Sequence, residues 1–437
     1  MTNNVLTTAS RILAEGPICD HCIGRMFAKL STGLSNDQRG AAIKLALALE
    51  YDIKRSETSD DTQLKLLAPS SIYARKTLGM KDDDTKCWVC NGLFQHIDTW
   101  VKHVITALEG YEFDTFLIGT RPSGLLIENE EIVWATSGTR WAEPLKTEMN
   151  REVGKRVEAR LKKNADLKNP HIVGLIDIAQ EKVELDVRSL YIFGWYKKMI
   201  RGIPQTRWPC RECKGSGCEH CNFTGSMYPE SVDELIRPEV IKMTGAKDTV
   251  FHGAGREDID ALMLGTGRPF IVEAVKPHKR RIDLTRLQHK INRYADGKIA
   301  VSGLTFACHS DVELIKQAKA DKVYSLRVSF KEQISEEKLK SAIEILSQTP
   351  IIQQTPTRVA HRRADLKRIR NVHYIKFEQL STDGISAVIE LKCEGGLYVK
   401  ELVSGDDGRT TPSLGASLGV EAKVTELDVI KIDGIFI

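Results

Sequence analysis

Eight of the ten cysteines in this chain fall into four Cys-x-x-Cys pairs: Cys19 with Cys22, Cys87 with Cys90, Cys210 with Cys213, and Cys218 with Cys221. In a small secreted chain such a set would read as a disulfide framework. Here the chain is 437 residues long and 28% charged, so the spacing points to metal. Cys19, Cys22, Cys87 and Cys90 together supply the four thiolates of a closed tetrahedral zinc site that clamps two distant hairpins. In the second group, Gly215 and Gly217 permit the tight turns that point sulfur inward. Whether Cys210, Cys213, Cys218 and Cys221 share one ion or pair with cysteines elsewhere stays open at this point, and an iron–sulfur cluster is an alternative occupant. The expectation is one or two structural zinc ions and no redox or nucleotide cofactor. Cys308 and Cys393 are isolated and read as buried small hydrophobes.

A chain this long exceeds one ordinary core, so two or three packed units are expected. The net charge of +4 says little about partners, and local basic clusters have to carry that argument. No window approaches the roughly 20 uninterrupted apolar residues of a spanning helix. The first thirty residues carry Arg11, Asp20 and Arg25 in place of an apolar signal core, so a cytoplasmic protein without a membrane partner is expected.

The first stretch, to about residue 110, holds the first two cysteine pairs and a helical segment over Ala41–Tyr51. From there to about 208, strands at Phe113–Ile118 and Val183–Phe193 alternate with a basic helix over Met149–Lys163. The run from Gly194 to Trp208 interleaves aromatics with Lys197, Lys198, Arg201 and Arg207, a mixture suited to gripping phosphate while stacking on bases. Ser231 with Glu234 forms a capping box ahead of a helix to about Met243. The boundary is placed here, giving an accessory domain over 1–228 and a second domain over 229–437. Further on come strands at Pro269–Val275 and Val323–Phe330 and a helix after Ser335 with an apolar stripe at Leu339, Ala342, Ile343 and Leu346. The fold class is mixed α/β (α+β).

The segment from Gly253 to Phe270 places glycines before and after a cluster of charge. It lacks the Gly-Lys-Ser/Thr ending of a phosphate loop and does not run from a clear strand into a GxGxxG helix. On composition alone, Asp258 and Asp260 are turn carboxylates. Arg358, Arg362, Arg363, Lys367, Arg368 and Arg370 face a single acid, Asp365, and should follow an RNA backbone. Lys276, His278, Lys279, Arg280 and Arg281 form a second basic patch.

Four segments carry a resemblance. Gly255-Arg256-Glu257-Asp258 looks like the Gly-Arg-x-Asp signature of pseudouridine synthases. Lys322-Val323-Tyr324 resembles the segment that supplies their active-site tyrosine. Gly396-Leu397-Tyr398-Val399-Lys400-Glu401-Leu402 resembles the Gly-Thr-Tyr-Ile-Arg/Lys strand, with Leu397 standing for threonine. The stretches Gln354–Arg370 and Ser404–Pro412 are similar to the archaeal and eukaryotic branch that carries an amino-terminal zinc and THUMP unit; the run Ser189–Trp208 resembles the end of that THUMP unit, and Cys19–Cys22 with Cys87–Cys90 resemble its zinc pairs. Trp195 departs from the basic residue of that branch's Gly-Arg-Tyr segment.

The resemblance implies a THUMP-containing accessory domain and a catalytic domain with a central, mainly antiparallel sheet flanked by helices. It implies conversion of T-arm uridines 54 and/or 55 of tRNA to pseudouridine. The target base must leave the helix stack. Asp258 is then the essential carboxylate, Lys400 its partner, and Tyr324 the ring that stacks on the flipped uracil. Arg256, Leu402, Tyr398, Arg358, Arg362, Arg363, Lys197, Lys198 and Arg201 are the expected substrate contacts. The expected partner is tRNA, at its T-arm and through the THUMP unit at its acceptor end, bound by a monomer. Two rivals remain: a non-catalytic zinc and THUMP RNA-binding protein with a degenerate synthase domain, and a THUMP-bearing methyltransferase or thiouridylase. Asp258, Tyr324 and Lys400 are all present, which speaks against the first. The second needs a nucleotide-type glycine loop, which is missing.

Overall fold

The computed structural model describes residues 4–81, 85–318, 320–362 and 364–434, and of Arg362 only the backbone. The chain forms two compact units, Met1–Arg188 and Ser189–Ile437.

In the first unit a short helix, Asp20–Arg25, lies against a long one, Asn36–Thr58. Their approach depends on Gly24 and Gly40. A Cβ at Gly24 would sit 1.8 Å from the carbonyl oxygen of Asn36, and one at Gly40 would sit 2.0 Å from that of Asp20. The long helix starts with a reciprocal Ser35–Gln38 capping box, which satisfies otherwise orphaned backbone N–H groups. Beyond it, strands β1 (Thr115–Arg121), β2 (Asn164–Ala165), β3 (Ile172–Asp177) and β4 (Lys182–Val187) form a sheet in the order β2-β1-β3-β4. β1 runs parallel to β2 and β3, and β3 pairs antiparallel with β4. The amphipathic helix Ile97–Leu108 buries Ile97, Trp100, Val101, Val104 and Leu108, and the helix Leu145–Leu161 buries Leu145, Met149, Val153 and Val157 in the same core.

The second unit is built on strands β5 (Leu190–Lys198), β6 (Asp248–Gly253), β7 (Leu262–Val275), β8 (Ile299–Ala307) and β9 (Asp321–Phe330). After them come β10 (Ile351–Gln353), β11 (Arg368–Arg370), β12 (Val372–Leu380), β13 (Ser386–Cys393), β14 (Thr410–Thr411) and β15 (Ala422–Asp433). The main sheet runs β12-β13-β9-β15-β7-β5-β8, with β6 also pairing β7, and β10, β11 and β14 form a small second sheet. Every pairing in the main sheet is antiparallel except β15 with β7, where Asp428 meets Leu262 and Val429 meets Met263. The mainly antiparallel catalytic sheet expected from the resemblance is therefore present. On β9, Tyr324, Leu326, Val328 and Phe330 share the buried face, as the two-residue strand period requires. The Ser231–Glu234 box caps the helix Val232–Thr244. The helix Glu336–Gln348 buries Leu339, Ala342, Ile343 and Leu346, the predicted stripe.

Four sequence expectations need correction. Val183–Phe193 is not one strand. It breaks after Val187, and β5 pairs with β7 and β8 inside the main sheet, so the units divide between Arg188 and Ser189 and not at 228/229. The segment Gly396–Leu402 is not a strand either: a turn leads into the helix Val399–Ser404. The Gln353 side chain fixes that turn, accepting from Tyr398 N–H and donating to its carbonyl, while Leu402 N–H closes the first helical bond onto the same carbonyl. Cys393 is buried as expected, but Cys308 is exposed, because its side chain reaches Asp311 at the start of the helix His309–Gln317.

Candidate active site and metal centres

The loop between β6 and β7 carries Asp258, and a buried polar network holds it in shape. Arg268, 1% exposed, donates to Glu257 Oε2 at 2.7 Å and to the Ala254 carbonyl at 2.8 Å. Tyr196 donates its hydroxyl to Glu257 at 2.9 Å, and Gln205 donates to both Tyr196 Oη and the Gly255 carbonyl. Lys198 is fully buried, and its ammonium donates to the carbonyls of Ile203, Asp258 and Ile259. Paired in this way the buried charges are tolerable, whereas removing one partner of such a pair typically costs about 3–5 kcal/mol. With Glu257 pointing inward, Asp258 is turned the other way.

Asp258 faces a cleft of about 880 Å³ lined by Gln205, Trp208, Arg256, Arg268, Lys322, Tyr324, Arg358, Arg368, Tyr398 and Lys400, among others. Its Oδ2 lies 3.4 Å from Arg358 and 3.5 Å from Lys400, and the side chain is about one-third exposed. Lys400 is closer to Asp260, at 2.7 Å, so the expected Lys400–Asp258 pair is one arm of a three-residue cluster. Arg358 is shared in the same manner, because Glu401, itself buried, accepts from its Nε at 2.6 Å. This arrangement lowers the Asp260 carboxyl from its ordinary value: burial opposes ionisation, but the Lys400 ammonium outweighs it.

Tyr324 is buried in the cleft wall, and that burial pushes its phenol up. Two residues earlier on the same strand, Lys322 is pushed down to about 8, first by burial and then by the neighbouring Arg268 guanidinium. At the cleft rim Arg256 stacks over Trp208 at 5.1 Å and Arg368 over Tyr398 at 5.6 Å.

Sequence reasoning placed Asp258, Tyr324, Lys400, Arg256, Arg358 and Tyr398 in one site, and they line one cleft. Three expected substrate contacts are used otherwise. Lys198 is the buried clamp already described. Arg201 ties the loop to β15 through Asp428 at 2.7 Å and the carbonyls of Asp260 and Leu427. Leu402, 2% exposed, belongs to the hydrophobic core. Lys197 is half-buried on β5 and outside the cleft lining, Arg363 lies outside the described residues, and so does the side chain of Arg362. Glu257, Arg268, Gln205 and Lys322 were missed. For Arg268 and Lys322 the signal in the sequence was a charged residue within a strand, and for Glu257 and Gln205, on loops, there was none.

The cysteines form two separate clusters, Cys19, Cys22, Cys87, Cys90 and Cys210, Cys213, Cys218, Cys221, each with its sulfurs within 4.8 Å of one another. Measured Sγ–Sγ separations are 3.7 Å for Cys19–Cys90 and 3.8 Å for both Cys210–Cys218 and Cys213–Cys221. A tetrahedron with zinc–sulfur bonds of about 2.3 Å has edges of roughly 3.8 Å, so both donor sets fit a metal ion, and the second group is self-contained.

A mixed α/β unit in which Asp258 stands between Arg358 and Lys400 in a cation-rich cleft defines a class when set beside known families. The family described as "Pus10, C-terminal" matches residues 191–433, and "Pus10 THUMP domain, archaeal" matches residues 100–177. This is the pseudouridine synthase class, joined to a THUMP domain. The chain is 48% identical to the tRNA pseudouridine synthase Pus10 of Methanothrix thermoacetophila, over 100% of this chain and 96% of that protein. It is 42% identical to the Halorubrum lacusprofundi protein of the same name, over 99% and 97% of the two chains. With the Methanocaldococcus jannaschii counterpart the identity is 41%, over 96% and 93%. The chain belongs to the Pus10 family of tRNA pseudouridine synthases, which are isomerases. Among solved structures, a Cbf5-Nop10-Gar1 complex aligns over 46% of this chain and 45% of that one at 19% identity, with a TM-score of 0.29.

Proposed function

We propose that this enzyme isomerises T-arm uridines, at position 54, position 55 or both, with Asp258 as the reacting carboxylate. The observation that carries the reading is convergence: residues around 258, 324 and 400, far apart in sequence, line one cleft with a basic rim. The reaction breaks the N1–C1′ bond, rejoins C5 to C1′, and moves the C5 proton to N1, so the base must first be extruded into the cleft. A carboxylate at the ribose serves this chemistry as nucleophile at C1′ or as base at C2′, and both routes use the anion. Arg358 and Lys400, each already balanced by Glu401 or Asp260, orient Asp258 without neutralising it completely. Tyr324 supplies the face on which the detached uracil turns. Arg256 and Arg368 stand at the rim where phosphates pass.

The two cysteine clusters hold structural zinc. When bound, each ion cross-links its unit, and with four thiolate ligands it leaves no open position for water. The THUMP domain contacts the acceptor end of the same tRNA, and the enzyme works as a monomer.

Unmodified tRNA incubated with wild type and with Asp258→Asn, followed by mapping of pseudouridine, tests the assignment. Wild type is expected to modify the T-arm and the variant to fall by a factor of 10³ or more, roughly the loss of a reacting group. Product from the variant at a comparable rate would remove Asp258 from the chemistry.

A further inference from the structure

The helix Leu284–Tyr294 of the second unit buries Leu287 and Ile291 and turns Arg286, His289, Lys290 and Arg293 outward. Spacings of three and four residues put these four on one face, about 10 Å long from Arg286 to Arg293. Together with Asp283 and Thr285 they line a shallow groove of about 460 Å³. None of them lines the cleft that holds Asp258. Four exposed helical cations elsewhere are matched to acids one turn away: Lys54 to Glu50, Lys65 to Asp61, Arg156 to Glu152, Lys340 to Glu336. Among the described residues Arg286, Lys290 and Arg293 have no such acid. The one carboxylate in the groove, Asp283, accepts from the Arg286 backbone N–H at 2.9 Å as the helix cap. The preceding loop adds Lys276 and Lys279, both exposed, so with Arg286, Lys290 and Arg293 five cations stand beside a single acid, Asp283.

We infer that this face is a second docking surface for RNA, where the phosphodiester backbone of the substrate outside the cleft is held. The inference rests on the reading of the protein as a tRNA-modifying enzyme. Uncompensated like charges repel one another and weaken the fold, so a row of them is stabilised by a polyanion. The groove is lined by polar and charged side chains, with no Leu, Ile, Phe or Trp among them, which disfavours a protein partner, since such contacts centre on buried aromatic or aliphatic anchors. Phosphates need only cations, and release of their counterions drives the binding. Tyr294, half-exposed at the end of the same helix, offers a ring to an unpaired base.

The test is the salt dependence of binding, using the full-length protein and an unmodified tRNA transcript. In Arg286→Gln/Lys290→Gln/Arg293→Gln, the slope of log K against log salt should shrink by about 2–3, because each phosphate contact contributes roughly 0.7–0.9. Affinity at moderate salt should fall on the order of tenfold, and the Glu triple variant should fall further. Thermal melting of each variant establishes that the helix still folds, as expected for positions outside the core. An unchanged slope and affinity in a folded Gln variant overturns the proposal. So does unchanged tRNA binding with lost binding of a poly-aspartate peptide, which would identify a protein partner. Pseudouridine formation by wild type is scored separately: its absence would defeat the functional reading, while the salt slope alone decides this surface.

Discussion

At the scale of single residues, the site is a problem in placing charge. Neighbouring acids in one loop have opposite fates, because Glu257 turns inward to buried Arg268 and Tyr196 whereas Asp258 turns outward to the cleft. Lys322 has a measurable signature of its own. Its folded value is about 8 against 10.5 for an unburdened lysine, so between those values the unfolded chain binds more protons and this residue makes stability rise with pH. Below about pH 8 the folded protein carries a desolvated ammonium. Lys322→Met is therefore expected to stabilise the protein there, with the advantage shrinking as the pH climbs toward about 10. Urea melts of the pair at both ends of that window check this. A difference that is the same at both would show that the ammonium stays hydrated in the fold.

At the scale of elements, the parallel contact between β7 and β15 joins the two halves of the main sheet, and it depends on one glycine. Gly265 has φ +55, and a Cβ there would lie 1.7 Å from the Ile430 carbonyl oxygen. Gly265→Ala combines a left-handed backbone with a backbone clash, so a loss of at least about 1–3 kcal/mol is expected in denaturant melts. A wild-type midpoint would mean that the strands separate locally at no cost. The helices and strands themselves were readable from periodicity and capping, as the Ser231 box and the stripe after Ser335 illustrate. The turn and short helix at 396–404 were not, because the Gln353 side chain, more than forty residues away in sequence, sets that turn.

At the scale of the whole molecule, two units each carry a self-contained four-cysteine cluster. Purified protein is expected to contain about two equivalents of zinc, and Cys210→Ser/Cys213→Ser should bring this to about one. Because metal affinity is part of folding free energy, a strong chelator should lower the melting temperature. Elemental analysis with calorimetry checks both. A content near one in wild type would leave one cluster without its metal.

Local chemistry determined the cysteine pairs that gather into two clusters and most of the regular elements, and the resemblance pointed to the segments that meet at the cleft. These signals lie within a few residues of one another, and spacing preserves them. Tertiary structure decided which charges face solvent. Lys198 and Arg201 look like neighbours of Lys197 in a basic run, yet they clamp backbone carbonyls because β5 enters the main sheet there. The same long-range pairing moved the division between units to Arg188/Ser189. A charge in a sequence carries no label for its burial: whether it binds a partner chain or holds its own loop depends on which strands come to lie beside it.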